Sequence, residues 1–397
     1  MPGERFPGEG ALRPIWSDLS VFCQVSIRQI IWLSRCDLYC DGVLTAPEGA
    51  LGYFGLTRAR IFGDWMMTTK LASSARWALL GALLLQVVFA PASFAEWHRD
   101  DQAIMGTSVV AEVWHEDAQR AKALLTSVMA EMRRIEKAYS PYIESSELSV
   151  LNREAALDAV PVSAEMWTLL AASRRVSELS NGAFDITYAS AGKLYDYRES
   201  KKPAGAALNS AIEAINYRHV LLMRGQRVRF SHPGVSIDLG GIAKGYAVDR
   251  CVELLREQGV TQGMVAAGGD SRIIGDRMGR PWTVGVQNPR NEREMIALLP
   301  LEDTAVSTSG DYERYFEEDG VRYHHIINPS NGDSARDVRS VTILGPEGLF
   351  TDALSTAVFV LGLDKGLGLI DELPGIDAVV VDGAGNLRYS ADIDPLR

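Results

Sequence analysis

Cysteine is nearly missing from the part of this 397-residue chain that reads as a folded protein. Cys23, Cys36 and Cys40 all fall near the start, and Cys251 stands alone after them. One thiol makes no internal disulfide, and it cannot complete a zinc site with the few histidines at suitable spacing. In "AVDRCVELL" it reads as a buried helical residue, the usual place for a free cysteine. Positive charge is also in deficit, with 40 Lys and Arg against 51 Asp and Glu for a net charge of -11. That argues against a general nucleic-acid binder, which needs a basic patch. A polyanionic ligand would then depend on a local lysine, a helix N-terminus or a metal ion. The one long apolar run, "WALLGALLLQVVFA" (77–90), is too short to cross a membrane. What remains, 47% hydrophobic and 23% charged, is the composition of a soluble globular protein.

That apolar run has a different reading. Met66 and Met67 precede Lys70 and Arg76, the run follows, and "PASFAE" supplies small residues, Ser93 and Ala95, at the positions a signal peptidase needs. Charge, apolar core and small-residue exit come in the order of a cleavable signal peptide. We therefore expect 66–95 to be a leader, 1–65 a non-native upstream extension with translation starting at Met66 or Met67, and 96–397 the functional domain. No cysteine lies at the exit, so export without a lipid anchor, to the periplasm, is the expectation. Beyond residue 95 the chain keeps 32 basic and 44 acidic residues, so the mature protein stays acidic.

Along the mature chain, "MGTSVVAEVW" alternates as a strand from Met105, and "HEDAQRAKALLTSVMAEMRRIEKAYS" has the three-and-four spacing of a long amphipathic helix. "PYIESSELSVLN" reads as a polar stretch. "SAEMWTLLAASRRVSELSNG" reads as a second helix with Ser163 as N-cap and Gly182 past its end. Residues 190–215 read as exposed loop or short helices. Short strands follow at "HVLLM", "RVRF" and "VSIDL", then a helix over 242–257, then strands at "GMVAAGGDSRIIG", "PWTVGVQ", "TAVSTSG", "YHHIINP" and "VRSVTILG". "FTDALSTAVFVLG" is a helix, and "DAVVVDGAGNLRYS" closes with a hairpin at Asp382 and Gly383. The order is not a strict βαβα alternation, so the class is α+β.

"SIDLGGIAKGYAVDR" (236–250) reads as a strand turning sharply into a helix, yet its glycines fit neither GxGxxG nor GxxxxGK[ST]. Such a turn brings bare backbone close to a ligand, and Lys244 offers it a positive charge. Asp238, six residues earlier, reads either as a partner of that lysine, as a turn residue or as a ligand contact.

Taken in order, "YSPYIESSELSVLN" (139–152), "AFD" (183–185), "DLGGIAKGYAVD" (238–249), "AAGGD" (266–270), "HHIINPSNG" (324–332) and "TDALSTAVFVLG" (351–362) resemble the ApbE family of FAD:protein FMN transferases. The resemblance runs from about Met105 to Leu363. It implies a fold of mixed sheets with flanking helices and an FAD site between two lobes. It further implies a magnesium-dependent enzyme that splits the pyrophosphate of FAD, joins FMN by a phosphoester bond to a threonine of a target protein, and releases AMP. Targets would be exported flavoproteins or subunits of membrane redox complexes, with peripheral association at the inner membrane.

By the same resemblance, Asp352 and Thr356, with the main-chain carbonyl of Gly241, hold the magnesium. The first two are four apart on a predicted helix, hence on one face, and offer the hard oxygens that magnesium takes. Met105, Tyr142, Ala183, Phe184, Asp185, Asp238, Lys244 and Ile326 would contact FAD. His325 would be the general base for the incoming hydroxyl, with an imidazole pKa near neutrality suited to the task. Adjacent residues of a strand face opposite ways, so His324 would point away from the site. Asn328 stands where the family usually has aspartate. An FAD-binding protein without transfer, and an FAD pyrophosphatase, use the same pocket and stay open as alternatives.

Overall fold

Alternation in "TSVVAEVWH" does build a strand, but it is the second of its sheet. The computed structural model describes residues 95–393; the extension 1–65 and all but the last residue of the leader lie outside the described residues, as do Cys23, Cys36 and Cys40. Strand β1 (Glu96–Ile104) pairs along its whole length with β2 (Thr107–His115). "EWHRDDQAI" carries too little apolar pattern to announce a strand. It is an edge strand, where charged side chains keep other chains from adding on. Met105 does not open a strand as its sequence suggests. With Gly106 it forms the hairpin turn, at φ 56° and 71°, the left-handed pair of a two-residue type I′ turn.

Helix α1 (Ala118–Tyr139) follows, its N-terminus capped by Asp117, which accepts from the N–H groups of Gln119 and Arg120. Its buried stripe of Leu124, Leu125, Val128, Met129, Met132 and Ile135 has the expected spacing. The stretch read as polar contains a helix, α2 (Glu147–Glu154). Ser146 caps it by accepting from Ser149 N–H at 3.0 Å, and only Leu148 and Leu151 are needed to seat it. After β3 (Val160–Pro161) comes α3 (Ala164–Leu179), started by Ser163 as its sequence indicates and followed by Gly182 at φ 81°.

Two short helices, α4 (Ala189–Gly192) and α5 (Gly205–Glu213), lead to β4 (Val220–Met223) and β5 (Arg227–Phe230), which form a small sheet with β3. Helix α6 (Ala243–Glu257) precedes the hairpin β6 (Gly263–Ala267) and β7 (Asp270–Ile274). A long hairpin, β8 (Trp282–Asn288) and β9 (Asn291–Leu301), is followed by β10 (Ala305–Gly310). The small hairpin β11 (Tyr315–Glu318) and β12 (Val321–His324) leads to β13 (Val338–Gly345). Helices α7 (Gly348–Leu361) and α8 (Leu363–Asp371) and the hairpin β14 (Asp377–Asp382), β15 (Leu387–Tyr389) complete the fold.

The main sheet runs β1-β2-β6-β7-β10-β13-β14-β15 and is antiparallel throughout. Period-two geometry divides its residues between two cores. Val341 and Ile343 of β13 join the larger one, against which α1, α6 and α7 pack, while Leu344 joins Ile273 and Val306 on the other face. There Trp282 and Leu301 of the β8–β9 hairpin cover the sheet, with Trp282 edge-on to Trp97 at 5.1 Å. The class is α+β. Among the described residues no helix is long and apolar enough to cross a membrane. Cys251 is fully buried on α6, as its sequence context indicates.

Candidate active site

The site is organised where α6 and α7 meet. Asp249 of α6 caps the neighbouring helix: Gly348 N–H and Leu349 N–H each donate to its carboxylate at 2.8 Å. Burial pushes the Asp249 pKa up to about 6. A cap supplied by another helix fixes how the two helices slide against each other, and so where Asp352 and Thr356 stand relative to Lys244.

Gly245 lets the helices close. A Cβ at that position would lie 2.0 Å from the carbonyl oxygen of Gly348 and 2.6 Å from Cβ of Asp352. In an open helix glycine to alanine stabilises by about 1 kcal/mol. Here the sign is expected to reverse, because overpacking costs about 1–3 kcal/mol or more. A denaturant melt of Gly245→Ala checks it; a gain in stability would show that the helices do not cross here.

Next to that crossing lies a buried cluster of charge. Asp270 and Asp352 are 1% and 3% exposed, and the Lys244 ammonium pairs with Asp270 and lies 3.9 Å from Asp352. Burial works against the ammonium, but the two carboxylates outweigh it and raise the Lys244 pKa. Burial, and then the charge of Asp270, raise the pKa of Asp352 well above the usual carboxylate range. Gly245 N–H donates to Asp352 Oδ2 at 2.9 Å. Lys244 is therefore partnered by Asp270 and Asp352, not by Asp238.

Gly241 sits against Thr356 and Phe184. A Cβ on Gly241 would meet Thr356 Oγ1 at 3.2 Å and the Phe184 ring at 3.3 Å. Thr356 Oγ1 is also 3.3 Å from Ser309 Oγ, which bonds Ser355 Oγ at 2.8 Å. The donors gathered here are a carboxylate and hydroxyls beside the Gly241 backbone, with two carboxylates facing one ammonium. That leaves a surplus negative charge in a buried place, which a hard divalent cation would balance. Among the described residues no group of three or more His, Cys, Asp or Glu could cage a metal by itself. Magnesium fits such a set because it keeps water or phosphate oxygens in the rest of its octahedron.

The lead-in "VSIDL" is not a strand. Side chains, not a neighbouring strand, meet its backbone: Asn152 bonds both N–H and C=O of Ile237, and Ser190 Oγ accepts from Ser236 N–H. Asp238 N–H donates to the Ile186 carbonyl, and its carboxylate accepts from Gly240 N–H at 2.6 Å. It thus acts as a turn residue, beside the Tyr188 hydroxyl, with its pKa raised by burial.

Phe184 is buried against Gly241, and Ala183, half-buried before it, donates its N–H to the Ser180 carbonyl. Asp185 is turned inward: it accepts from Thr187 N–H, Thr187 Oγ1 and Tyr217 N–H at 2.6–2.8 Å, so its carboxylate holds the turn behind the wall. Tyr142 is 85% exposed, an aromatic ring with no protein covering it. Met105 is held in its turn by Glu136, which accepts from its N–H at 2.8 Å.

His324 is the last residue of β12 and His325 lies in the bend after it, and the two side chains have different surroundings. His324 is buried, its Nε2 on the Ala335 carbonyl and its ring edge-on to Phe359 at 5.4 Å. His325 is half-buried, with Nδ1 shut off from solvent and no hydrogen-bond partner. Burial, then the charges of His324, Arg314 and Lys244, lower its pKa to about 3. This corrects the near-neutral value expected from sequence. Ile326 is core, backing the loop. Asn328 Oδ1 accepts from Ser330 N–H and Oγ; the turn needs only an acceptor there, which asparagine supplies as well as aspartate.

Sequence reasoning passed over Asp270, Gly245, Asp249 and Tyr188. Asp270 had a visible signal, an acid directly after the Gly268–Gly269 turn of "AAGGD"; the others show only once the helices are docked.

Fold and site together define an α+β enzyme with a buried, oxygen-rich, metal-compatible centre beside a lysine and a neutral histidine. The model of the ApbE family matches residues 105–380, and the chain belongs to that family. The FAD:protein FMN transferase of Treponema pallidum (strain Nichols) is 34% identical over 312 residues, covering 74% of this chain and 86% of the relative. That of Vibrio cholerae is 31% identical over 284 residues, covering 69% and 85%. Among solved structures, the ApbE protein of Thermotoga maritima superposes with a TM-score of 0.69 at 36% identity, covering 75% of this chain and 97% of that one. The flavin transferase ApbE from Vibrio cholerae gives 0.68 at 28% identity, covering 76% and 99%.

Proposed function

We propose that this chain is a magnesium-dependent FAD:protein FMN transferase that attaches FMN through a phosphoester bond to a threonine of an exported or membrane-bound redox protein, releasing AMP. The observation that carries this reading is the convergence, in a member of this family, of Asp352, Thr356 and Gly241 with Lys244 and an unpartnered His325. Asp352, Thr356 and the Gly241 carbonyl would hold the magnesium, whose contribution when bound is to neutralise pyrophosphate charge and polarise the phosphorus. Lys244 lies beside them, held by Asp270, where a phosphate oxygen can take its free protons. The exposed Tyr142 offers a flat apolar surface to the flavin, while buried Phe184 backs the Gly241 loop.

His325 takes the proton of the threonine hydroxyl as its oxygen attacks the FMN-side phosphorus. The bond to the AMP-side oxygen breaks, and the electron pair leaves on AMP. The imidazole is neutral in the free protein, and the negative charge of the bound pyrophosphate would raise its basicity toward the range a general base needs. The leader-like segment 66–95 supports periplasmic action, with contact to membrane complexes made through their exported subunits.

The test is to incubate the protein with FAD, Mg2+ and a threonine-bearing acceptor domain. Flavin that stays on the acceptor through denaturing electrophoresis, with one AMP released per flavin, is the expected result. Free FMN and AMP with an unlabelled acceptor would replace this reading with FAD hydrolysis.

A further inference from the structure

Lys244 is the cation assigned so far to the phosphates, and two carboxylates already hold it. A pyrophosphate in an acidic protein needs more positive charge than that. Arg314 lies on the connection between β10 and β11, and its carbonyl accepts from His325 N–H at 3.1 Å. That bond extends the β11–β12 pairing, in which Tyr315 faces His324, by one position. Arg314 and His325 are therefore neighbours at the open end of this hairpin, both in bends just outside its strands.

The Arg314 guanidinium reaches back toward the Met105–Gly106 turn, where a Cβ on Gly106 would lie 3.5 Å from its Nη2. Its charge acts on Asp238 and on His325. It thus stands among the Met105 turn, the Asp238 loop and the base. Other arginines nearby are committed: Arg290 and Arg322 to Asp311, and Arg336 to Asp333. Among the described residues, the Arg314 guanidinium makes no hydrogen bond or ion pair.

We propose that Arg314 donates to the pyrophosphate oxygens of FAD, gripping the transferred phosphoryl group from the side of His325. This rests on the transfer reaction proposed above. A guanidinium presents a planar fork matched to phosphate oxygens, and unlike Lys244 that of Arg314 forms no ion pair with a carboxylate among the described residues. As threonine Oγ bonds to phosphorus and the bond to AMP breaks, charge grows on the equatorial oxygens that the fork would hold.

The experiment measures equilibrium binding of FAD, inorganic pyrophosphate and riboflavin to wild type, Arg314→Ala and Arg314→Lys, each with Mg2+ and without acceptor. Losing a charge-assisted contact is expected to weaken FAD and pyrophosphate roughly 10- to 100-fold in Arg314→Ala. Riboflavin affinity and melting temperature are expected to be unchanged, and lysine to restore binding in part. Unchanged affinity for FAD and pyrophosphate would overturn the proposal, as would an equal loss for riboflavin, which carries no phosphate. With no acceptor present transfer does not enter the measurement; FAD hydrolysis would show separately as free AMP, and the pyrophosphate arm, which contains no FAD, reads Arg314 in either case.

Discussion

Replacing His325 with alanine is expected to lower FMN transfer roughly 10²- to 10⁴-fold, the usual worth of a general base, while FAD stays bound. The same change at His324 is expected to give the reverse pattern. His324 is 2% exposed and ties its loop to Ala335 and Phe359, so its loss lowers the melting temperature but leaves the chemistry of folded molecules largely intact. The pH dependence follows from the environment of His325. In the free protein its pKa lies near 3, so kcat/KM, which reports the free enzyme, is expected to show no acid limb from this group between pH 5 and 8. A pyrophosphate bound as proposed would oppose the fields of Arg314 and Lys244 and raise the pKa in the complex. The acid limb of kcat therefore falls at higher pH than that of kcat/KM. Equal damage from both histidine substitutions, or loss of FAD from His325→Ala, would remove His325 from the role of base.

Much of the architecture was legible because its elements bury one face and so carry a period. The helices α1, α3 and α6 and the strands β2 and β6 belong to that group, while β13, β14 and α7, buried nearly all round, show instead as continuous apolar runs. What escaped lacks such a face. β1 is a charged edge strand, α2 seats itself on two leucines, and "VSIDL" is extended backbone satisfied by Asn152 and Ser190 instead of a strand partner. The ordered motifs pointed to one region of the chain, and His324 and His325 differ in their surroundings, although His325 lies in the bend after β12 and not within the strand. Sequence could not show the electrostatics. Lys244 pairs with Asp270, distant in the chain, and no local pattern announces that pairing. The low pKa of His325 arises from burial and from Arg314 and Lys244, which only the folded chain brings near. Asp185 illustrates the opposite case, a carboxylate that matches a cofactor segment yet spends its oxygens on Thr187 and Tyr217.

Asp352→Asn is expected to abolish turnover and yet stabilise the metal-free protein. If Asp352 holds the proposed magnesium, its loss removes several kcal/mol of transition-state stabilisation, on the order of 10³-fold or more in rate. Stability moves the other way because Asp352 is a buried carboxylate whose charged form is disfavoured by burial and by Asp270. In the unfolded chain it ionises near pH 4, whereas in the fold it keeps its proton to higher pH. Between those values the native state binds more protons than the unfolded state, so native stability falls as pH rises. Asparagine carries no charge and still offers an oxygen to Gly245 N–H, leaving Lys244 and Asp270 as a neutral pair. In chelator at pH 8 the variant is therefore expected to melt above wild type, and the gap to close as pH falls through the carboxylate range. Added Mg2+ then raises the wild-type melting temperature, since a ligand bound only by the native state stabilises it, and leaves the variant unmoved. A variant that melts below wild type at every pH, or that responds to Mg2+ equally, would show that Asp352 holds the helices together and not the metal.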